Sequence, residues 1–573
     1  MLRARVIVWV LAGGLAGCGL QAPVDPADMV VRGGTIVTME ASQPSVDALA
    51  IRGDRIVALG DAGDVERYVG PDTTVVDLAG QTAIPGFIEG HGHFMGLGQS
   101  RQVLDLMDAP TFDAIVEQVG AAAKAARPGD WILGSGWHQE KWTARPTPDV
   151  EGFPVHDALS AVSPDNPVLL EHASGHAVFA NARAMELAGV TRDTAAPPGG
   201  DILKDAAGRP TGVFRETASG LVGRALGEWQ QSRSRAERLA DARRQVSLAT
   251  EEAFSRGVTS FQDAGVDFGT VALYKQLAAE GQLAIRLWVM VREPPDRLRE
   301  RLAAEKVEGL ADHHLTVAAI KVTADGALGS RGAWMLQPYS DSPESTGLNT
   351  TPMSVIAETA AIAMDTGTQL CVHAIGDRAN REVLDVYEAA MRAHPDRTDL
   401  RWRVEHAQHL DPADIPRFGR LGVIASMQGI HATSDAPYVL ARLGPERAAA
   451  GAYVWQKLMQ SGATVSNGTD VPVERIDPIA NFYATVTRKA SDGSVFFGDQ
   501  KMSREEALRS YTWNAAFAAR EEALKGSLAI GKLADITVLS QNILTVPDDE
   551  LRKTRVTKTI VGGAVVYDAA SSR

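Results

Sequence analysis

The chain has 573 residues, 57 Lys and Arg against 71 Asp and Glu, and a formal net charge of −14. That balance leaves no basic footprint and argues against nucleic acid or an anionic membrane surface as a partner. Gly and Pro make up about 14% of the chain, against a collagen-like or disordered polymer, and two cysteines, Cys18 and Cys371, cannot build a disulfide framework.

The first element is an export signal. In MLRARVIVWVLAGGLAGCGL, Arg3 and Arg5 precede an apolar run from Val6 to Leu15 that ends in small residues. The run is short for a bilayer span, which needs ~20 residues. Leu15-Ala16-Gly17-Cys18 resembles a bacterial lipobox, so residues 1–17 read as a lipoprotein signal peptide and Cys18 as the lipidated first residue of the mature chain. Its charge would be −16, because cleavage removes Arg3 and Arg5 and no acid. The expected location is the cell envelope, lipid-anchored and facing the periplasm. Gly19 follows the Cys where an Asp retains many lipoproteins at the inner membrane, which favours the outer membrane. The lipid would be the only membrane contact.

After a linker (18–27), residues 28–81 alternate apolar and polar in short strands broken by Gly-Asp and Gly-Gly turns. A matching set recurs within 527–570, and the two together predict a small β-sandwich stitched from both termini. Between them, 82–526 carries eight short strand candidates, at 82–91, 257–265, 283–291, 315–326, 368–376, 401–408, 422–429 and 462–470. From the second onward their starts lie 26, 32, 53, 33, 21 and 40 residues apart, the cadence of an α/β fold with a (β/α)8 barrel. The first gap is far too long for one βα unit. It predicts a subdomain inserted after the first strand, at about 97–250, with a helix over 237–257 leading into strand two.

Chemistry-bearing residues sit at the C-terminal ends of these strands, where barrel active sites assemble. His91 and His93 follow the first, Lys321 lies on the fourth, His373 on the fifth, His406 on the sixth and Asp470 on the eighth. His-x-His on a strand places both imidazoles on one side, because side chains alternate with period two. Imidazoles and a carboxylate suit zinc and its neighbours. Lys321 lies inside an apolar strand, an expensive place for an unpaired ammonium.

GFIEGHGH (86–93), IKVTADGALGSRGA (320–333), CVHAIGDRA (371–379), VEHAQHL (404–410) and GTDVPV (468–473) together resemble the amidohydrolase superfamily, closely its amidohydrolase-3, or YtcJ-like, branch. The resemblance covers nearly all of 28–568 and implies a metal-dependent hydrolase barrel. It implies that His91, His93 and Asp470 bind one divalent metal ion and His373 and His406 a second, zinc in both cases, with Lys321 bridging them as a CO2-derived carbamate. The reaction it implies is hydrolysis of a non-peptide amide or other C–N bond of a small organic substrate, N-substituted formamides included, by a metal-bridging hydroxide, with Asp470 shuttling the proton. His176 matches a substrate-side catalytic histidine, while Trp137, His138 and Trp142 match a segment walling the pocket. Asp325 and Arg331 are candidates for shaping the substrate site or for satisfying loop backbone. His172, His409 and His431 lie near the same face without a metal-like role. Gly90 stands where relatives commonly carry Asp, and is expected to loosen the packing beneath the ligands.

Three other readings compete: a mononuclear deaminase, which does not need Lys321; a dipeptidase or N-acyl amino acid hydrolase, for which Arg331 is the one anchor for a free terminus; and a non-catalytic binding lipoprotein. The small-molecule amide is the expected partner, and a homodimer is left open.

Overall fold

The computed structural model describes residues 24–571. The expected signal peptide, Cys18 and most of the linker lie outside the described residues.

Eight parallel strands form a nearly closed barrel: β1 (Phe87–Gly92), β2 (Val258–Val266), β3 (Arg286–Val291), β4 (Leu315–Thr323), β5 (Gln369–Ala374), β6 (Arg403–His406), β7 (Ile424–Met427) and β8 (Val465–Asn467). Neighbours pair in chain order from β1 to β8. β3, for example, reads RLWVMV and is buried at every position, as a strand covered on both faces must be. The seam between β8 and β1 is closed just beyond the strand ends, where Asp470 N donates to His91 O at 2.8 Å and His93 N to Val471 O at 2.7 Å. Gly90 makes this seam. A Cβ there would lie 2.4 Å from the Asn467 carbonyl oxygen, so the backbones of β1 and β8 meet only because no side chain intervenes. The expected loosening at Gly90 is not what the structure shows: glycine lets the backbones of β1 and β8 meet.

Helices return along the outside, including Phe268–Ala279 after β2, Asp377–Ala393 after β5 and Pro478–Thr487 after β8. Their starts follow local rules. Asp267 accepts the Thr270 amide at 2.7 Å, and Asp477 accepts two amides ahead of Pro478 at the first helical position. The helix entering β2 spans Arg235–Ser255 and opens with a Ser234–Glu237 capping box.

The terminal segments form one eight-stranded sheet rather than two separate sheets of a sandwich. Met29–Val37 forks within it, its first half pairing with Thr74–Asp77 and its second with Thr82–Pro85. Thr82–Pro85 also pairs with Ile536–Leu539, so it belongs to this sheet and the barrel begins at Phe87. Gly86 is the break: a Cβ there would lie 2.2 Å from Thr259 Oγ1. The sheet packs under the N-terminal ends of the barrel strands. Arg286, at the start of β3, makes a buried two-pronged pair with Asp535 at 2.8 and 3.1 Å, and Thr537 Oγ1 donates to Gly257 O at 2.6 Å.

The long β1–β2 connection contains a six-stranded sheet in the order Gly200–Lys204, Pro210–Glu216, Ala177–Ala180, Val168–His172, Ile132–Trp137, Leu104–Asp105. It has its own core, with Phe112, Ile115, Val119, Phe153, Leu159 and Phe179 packed around Trp137.

Candidate metal centre and active-site cavity

His91 is buried on β1, and its Nδ1 is hydrogen-bonded to Glu405 Oε2 on β6. Burial would push the Glu405 carboxyl up, but Arg403 and His91 hold it well below the usual carboxylate range, and Arg403 Nη2 donates to the same oxygen at 3.0 Å. An ionised Glu405 requires the proton on His91 Nδ1, which leaves an unprotonated Nε2 facing Lys321 and Asp470. His91 Nε2 lies 3.5 Å and His93 Nε2 3.3 Å from Asp470 Oδ1. Those separations match the edge of a tetrahedron whose ligands sit about 2.0–2.1 Å from one ion.

Lys321, on β4, is buried with Nζ 3.2 Å from His91 Nε2. Among the described residues no carboxylate lies within ion-pair distance of it, and burial brings its amine down to about 8. Lowering it towards neutrality enlarges the fraction of free amine open to CO2, although the ammonium still predominates at pH 7. His373, on β5, has its Nε2 3.4 Å from Asp325 Oδ1 and without a hydrogen bond. Its ring lies 4.5 Å from that of His406, whose Nδ1 bonds Gln428 Oε1 at 2.8 Å and lies 3.8 Å from Asp470 Oδ2. Burial holds both imidazoles well below the usual histidine range and hence neutral, as ligands must be. Asp470 Oδ1 is also buried without a hydrogen bond. Buried donors left unpaired and converging are what a metal would satisfy. Among the described residues, donor atoms close enough to share an ion form two groups that both use Asp470, His91–His93–Asp470 and His406–His431–Asp470; His373 falls in neither. The residues fit metal.

Three of the site's positions carry left-handed backbone: His406 (φ 76), Ala407 (φ 44) and Asp470 (φ 59). Such conformations cost about 1–3 kcal/mol each and persist where surroundings enforce them. Under Asp470 the enforcing group is Glu89, whose carboxyl accepts Thr469 N at 2.5 Å and Thr469 Oγ1 at 3.0 Å. Burial lifts it to about 8.

The family model for amidohydrolases matches residues 74–567. The chain belongs to the amidohydrolase family. It is 31% identical to the putative amidohydrolase YtcJ of Bacillus subtilis over 94% of this chain and 98% of that protein. It is 27% identical to the N-substituted formamide deformylase of Arthrobacter pascens over 95% of this chain and 99% of the relative. The crystal structure of a metal-dependent hydrolase from Pyrococcus horikoshii superposes with a TM-score of 0.71 at 26% identity, covering 91% of this chain and 99% of that one.

Over the metal donors of this amidohydrolase lies a cavity of about 630 Å3, bounded by Lys321, His373, His406 and Asp470 below and by the inserted sheet above. That size suits a small organic ligand. His176 lines it, with Nδ1 2.7 Å from Glu216 Oε2 and its ring 5.1 Å from that of His373. Burial opposes protonation of His176, but Glu216 prevails and raises its pKa. Gly326 and Gly332 of the GALGSRG loop leave room for the Glu216 carboxylate, since a Cβ at either would lie 2.1–2.2 Å from Oε1. A second, smaller recess adjoins the same donors, lined by His138, Lys141, Tyr438 and Glu474.

Other expected substrate contacts are placed elsewhere. Trp137 is in the core of the insertion, its Nε1 donating to Leu170 O at 3.0 Å and its ring stacked on Trp142; neither indole lines the cavities, because Trp137 is buried in that core and the half-buried Trp142 packs against it. Arg331 is turned to Asp341 at 3.1 Å and lines neither cavity. Asp325 is fully buried and accepts the amides of Ile375, Gly376 and Trp334, so it ties the loop after β4 to the end of β5 beside His373. His172 bonds Gln139 and Ser174. His431, expected to be bland, joins a donor group. The residues the sequence reading missed are Glu405, Arg403, Glu216, Glu89 and His431. Glu405 alone left a local signal, as the acid just before His406 in VEHAQ.

Proposed function

We propose that this amidohydrolase cleaves an amide or related C–N bond of a small organic substrate, using two zinc ions. The observation that carries the reading is the convergence of imidazoles, an amine and a carboxylate from β1, β4, β5, β6 and the turn after β8 under one cavity, with His373 Nε2 and Asp470 Oδ1 buried and unpaired among them. His91, His93 and Asp470 would hold one ion and His373 and His406 the other, with a carbamate on Lys321 between them. When bound, such ions supply a nucleophilic water at neutral pH and a Lewis acid for the carbonyl. Asp470 accepts the proton of the attacking water on its carboxylate and returns it to the leaving nitrogen. His176, whose pKa Glu216 raises, would in its protonated form donate from Nε2 to the carbonyl oxygen as negative charge develops there. The inserted sheet roofs the reaction from bulk water. The name of the Arthrobacter relative supports N-substituted formamides as one candidate class.

A screen of formamides, amides, dipeptides and aminopurines on zinc-loaded protein, with metal analysis, tests this. Two ions per chain and C–N hydrolysis abolished by Lys321→Ala, with part restored by a short carboxylic acid, are the expected result. One ion and deamination unaffected by Lys321→Ala would favour the mononuclear deaminase, and a folded protein that binds no metal would favour a binding lipoprotein.

We also infer a location at the cell envelope, with a lipid on Cys18 and the barrel facing the periplasm, most simply at the outer membrane. Residues 1–18 support it, and among the described residues no helix is long and apolar enough to cross a membrane. Cys18→Ser should move the protein from the membrane fraction to the soluble one.

A further inference from the structure

Two charged side chains of the main cavity have no part in the reaction as derived. Arg292 follows β3 directly and lines the cavity together with Lys321 and Asp470. Among the described residues its guanidinium makes no ion pair, and its only hydrogen bond is a long one, Nη2 to Ala264 O at 3.5 Å. Its place is made by Gly265, at φ +120, where a Cβ would lie 2.8 Å from Arg292 Nε. Glu171 projects from Val168–His172 of the inserted sheet into the same cavity. Among the described residues it has neither an ion pair nor a side-chain hydrogen bond. The cavity thus presents one cation from the barrel rim and one anion from the roof, neither in an ion pair: Asp470 and Asp263 act on Arg292, and His93 and His176 on Glu171, only from beyond ion-pair distance.

An uncompensated charge facing a ligand cavity is costly once the ligand displaces water, unless the ligand carries the opposite charge. A neutral amide would leave both Arg292 and Glu171 unpaired. We propose that the substrate is a small zwitterionic amide of dipeptide type, its free carboxylate paired with Arg292 and its ammonium with Glu171, so that the intervening amide lies over Asp470. This rests on the hydrolase reading above and narrows its substrate class. Two charge-assisted contacts on opposite sides also fix which way round the amide lies.

The test is calorimetric binding of the ketomethylene isostere of alanylalanine to the zinc-loaded protein, alongside its des-amino and des-carboxy forms. Removing either charged end should weaken binding about 10- to 100-fold, the worth of a hydrogen bond to a charged group. Arg292→Ala should weaken the intact isostere by a similar factor yet leave the des-carboxy form unchanged, and Glu171→Gln should do the same for the intact and des-amino forms. The ligand comparison on unaltered protein stands even where a variant fails to fold. Equal binding of all three ligands, or Arg292→Ala weakening the des-carboxy form as much as the intact one, would overturn the proposal. Hydrolysis of N-benzylformamide in preference to alanylalanine would also sink it while leaving the hydrolase reading standing. Tight, charge-dependent binding with no C–N bond cleaved in any substrate would do the reverse.

Discussion

At His91 the decisive partner lies outside the two-histidine motif. Glu405 fixes the ring's proton on Nδ1, so Nε2 is available without waiting for a proton to leave. Glu405→Gln keeps an acceptor there but removes the charge. It should lower zinc affinity about 10- to 100-fold, the usual cost of disturbing an outer partner of a ligand histidine, as competition with a chromogenic chelator would show. Glu89 makes a different prediction. Its carboxyl rises from 4.5 to about 8 on folding because it is buried, so between these values the folded chain holds a proton that the unfolded chain has released. The stability from the neutral acid is complete below about pH 4.5 and is lost as pH rises through 8. Chelator-treated protein should therefore become less stable to urea from pH 5 to 8, and Glu89→Gln should flatten that slope. His91, His93 and Asp470 were legible as candidate ligands, and the structure brings them together, because short-range spacing and strand position carry them. Glu405, Glu216 and Glu89 were not, because each acts on a residue 40 to 380 positions away in the chain.

Among the elements, the barrel strands were the most readable, since each is a short apolar run buried on both faces and bounded by polar turns. All eight candidates correspond to a barrel strand, with ends shifted by a few residues. The run at 82–91 is the instructive exception, because it holds two strands of two different sheets, Thr82–Pro85 and Phe87–Gly92. Apolar patterning is the same for both, and only the contact of Gly86 with Thr259 separates them. Gly90 belongs to this scale too. Gly90→Ala would press a methyl group against the Asn467 carbonyl and should cost about 1–3 kcal/mol as an overpacked contact, read as a lower urea midpoint with unchanged slope. Zinc affinity should fall with it, because the same seam positions Asp470 against His91.

At the scale of the whole molecule, three units meet at the two ends of the barrel. The terminal sheet is fastened to the N-terminal end by Arg286 and Asp535, both buried. Arg286→Met leaves Asp535 as an uncompensated buried acid and should cost about 3–5 kcal/mol, measured by urea unfolding, with zinc stoichiometry unchanged because the metal donors lie at the opposite end. The insertion covers the C-terminal end and contributes His176, Glu216 and Glu171 to the cavity. From the sequence alone came the barrel cadence, the overlong gap after the first strand and the candidate ligands, because these rest on local periodicity, spacing and family motifs. Only the tertiary structure decided that Trp137 lies in the insertion's core with Trp142 packed against it, that Arg331 is committed to Asp341, and that Arg292 and Glu171 line the main cavity outside any ion pair. Burial and pairing are properties of the assembled chain: whether a charge or a ring is free for a ligand depends on neighbours that folding brings from elsewhere in the sequence.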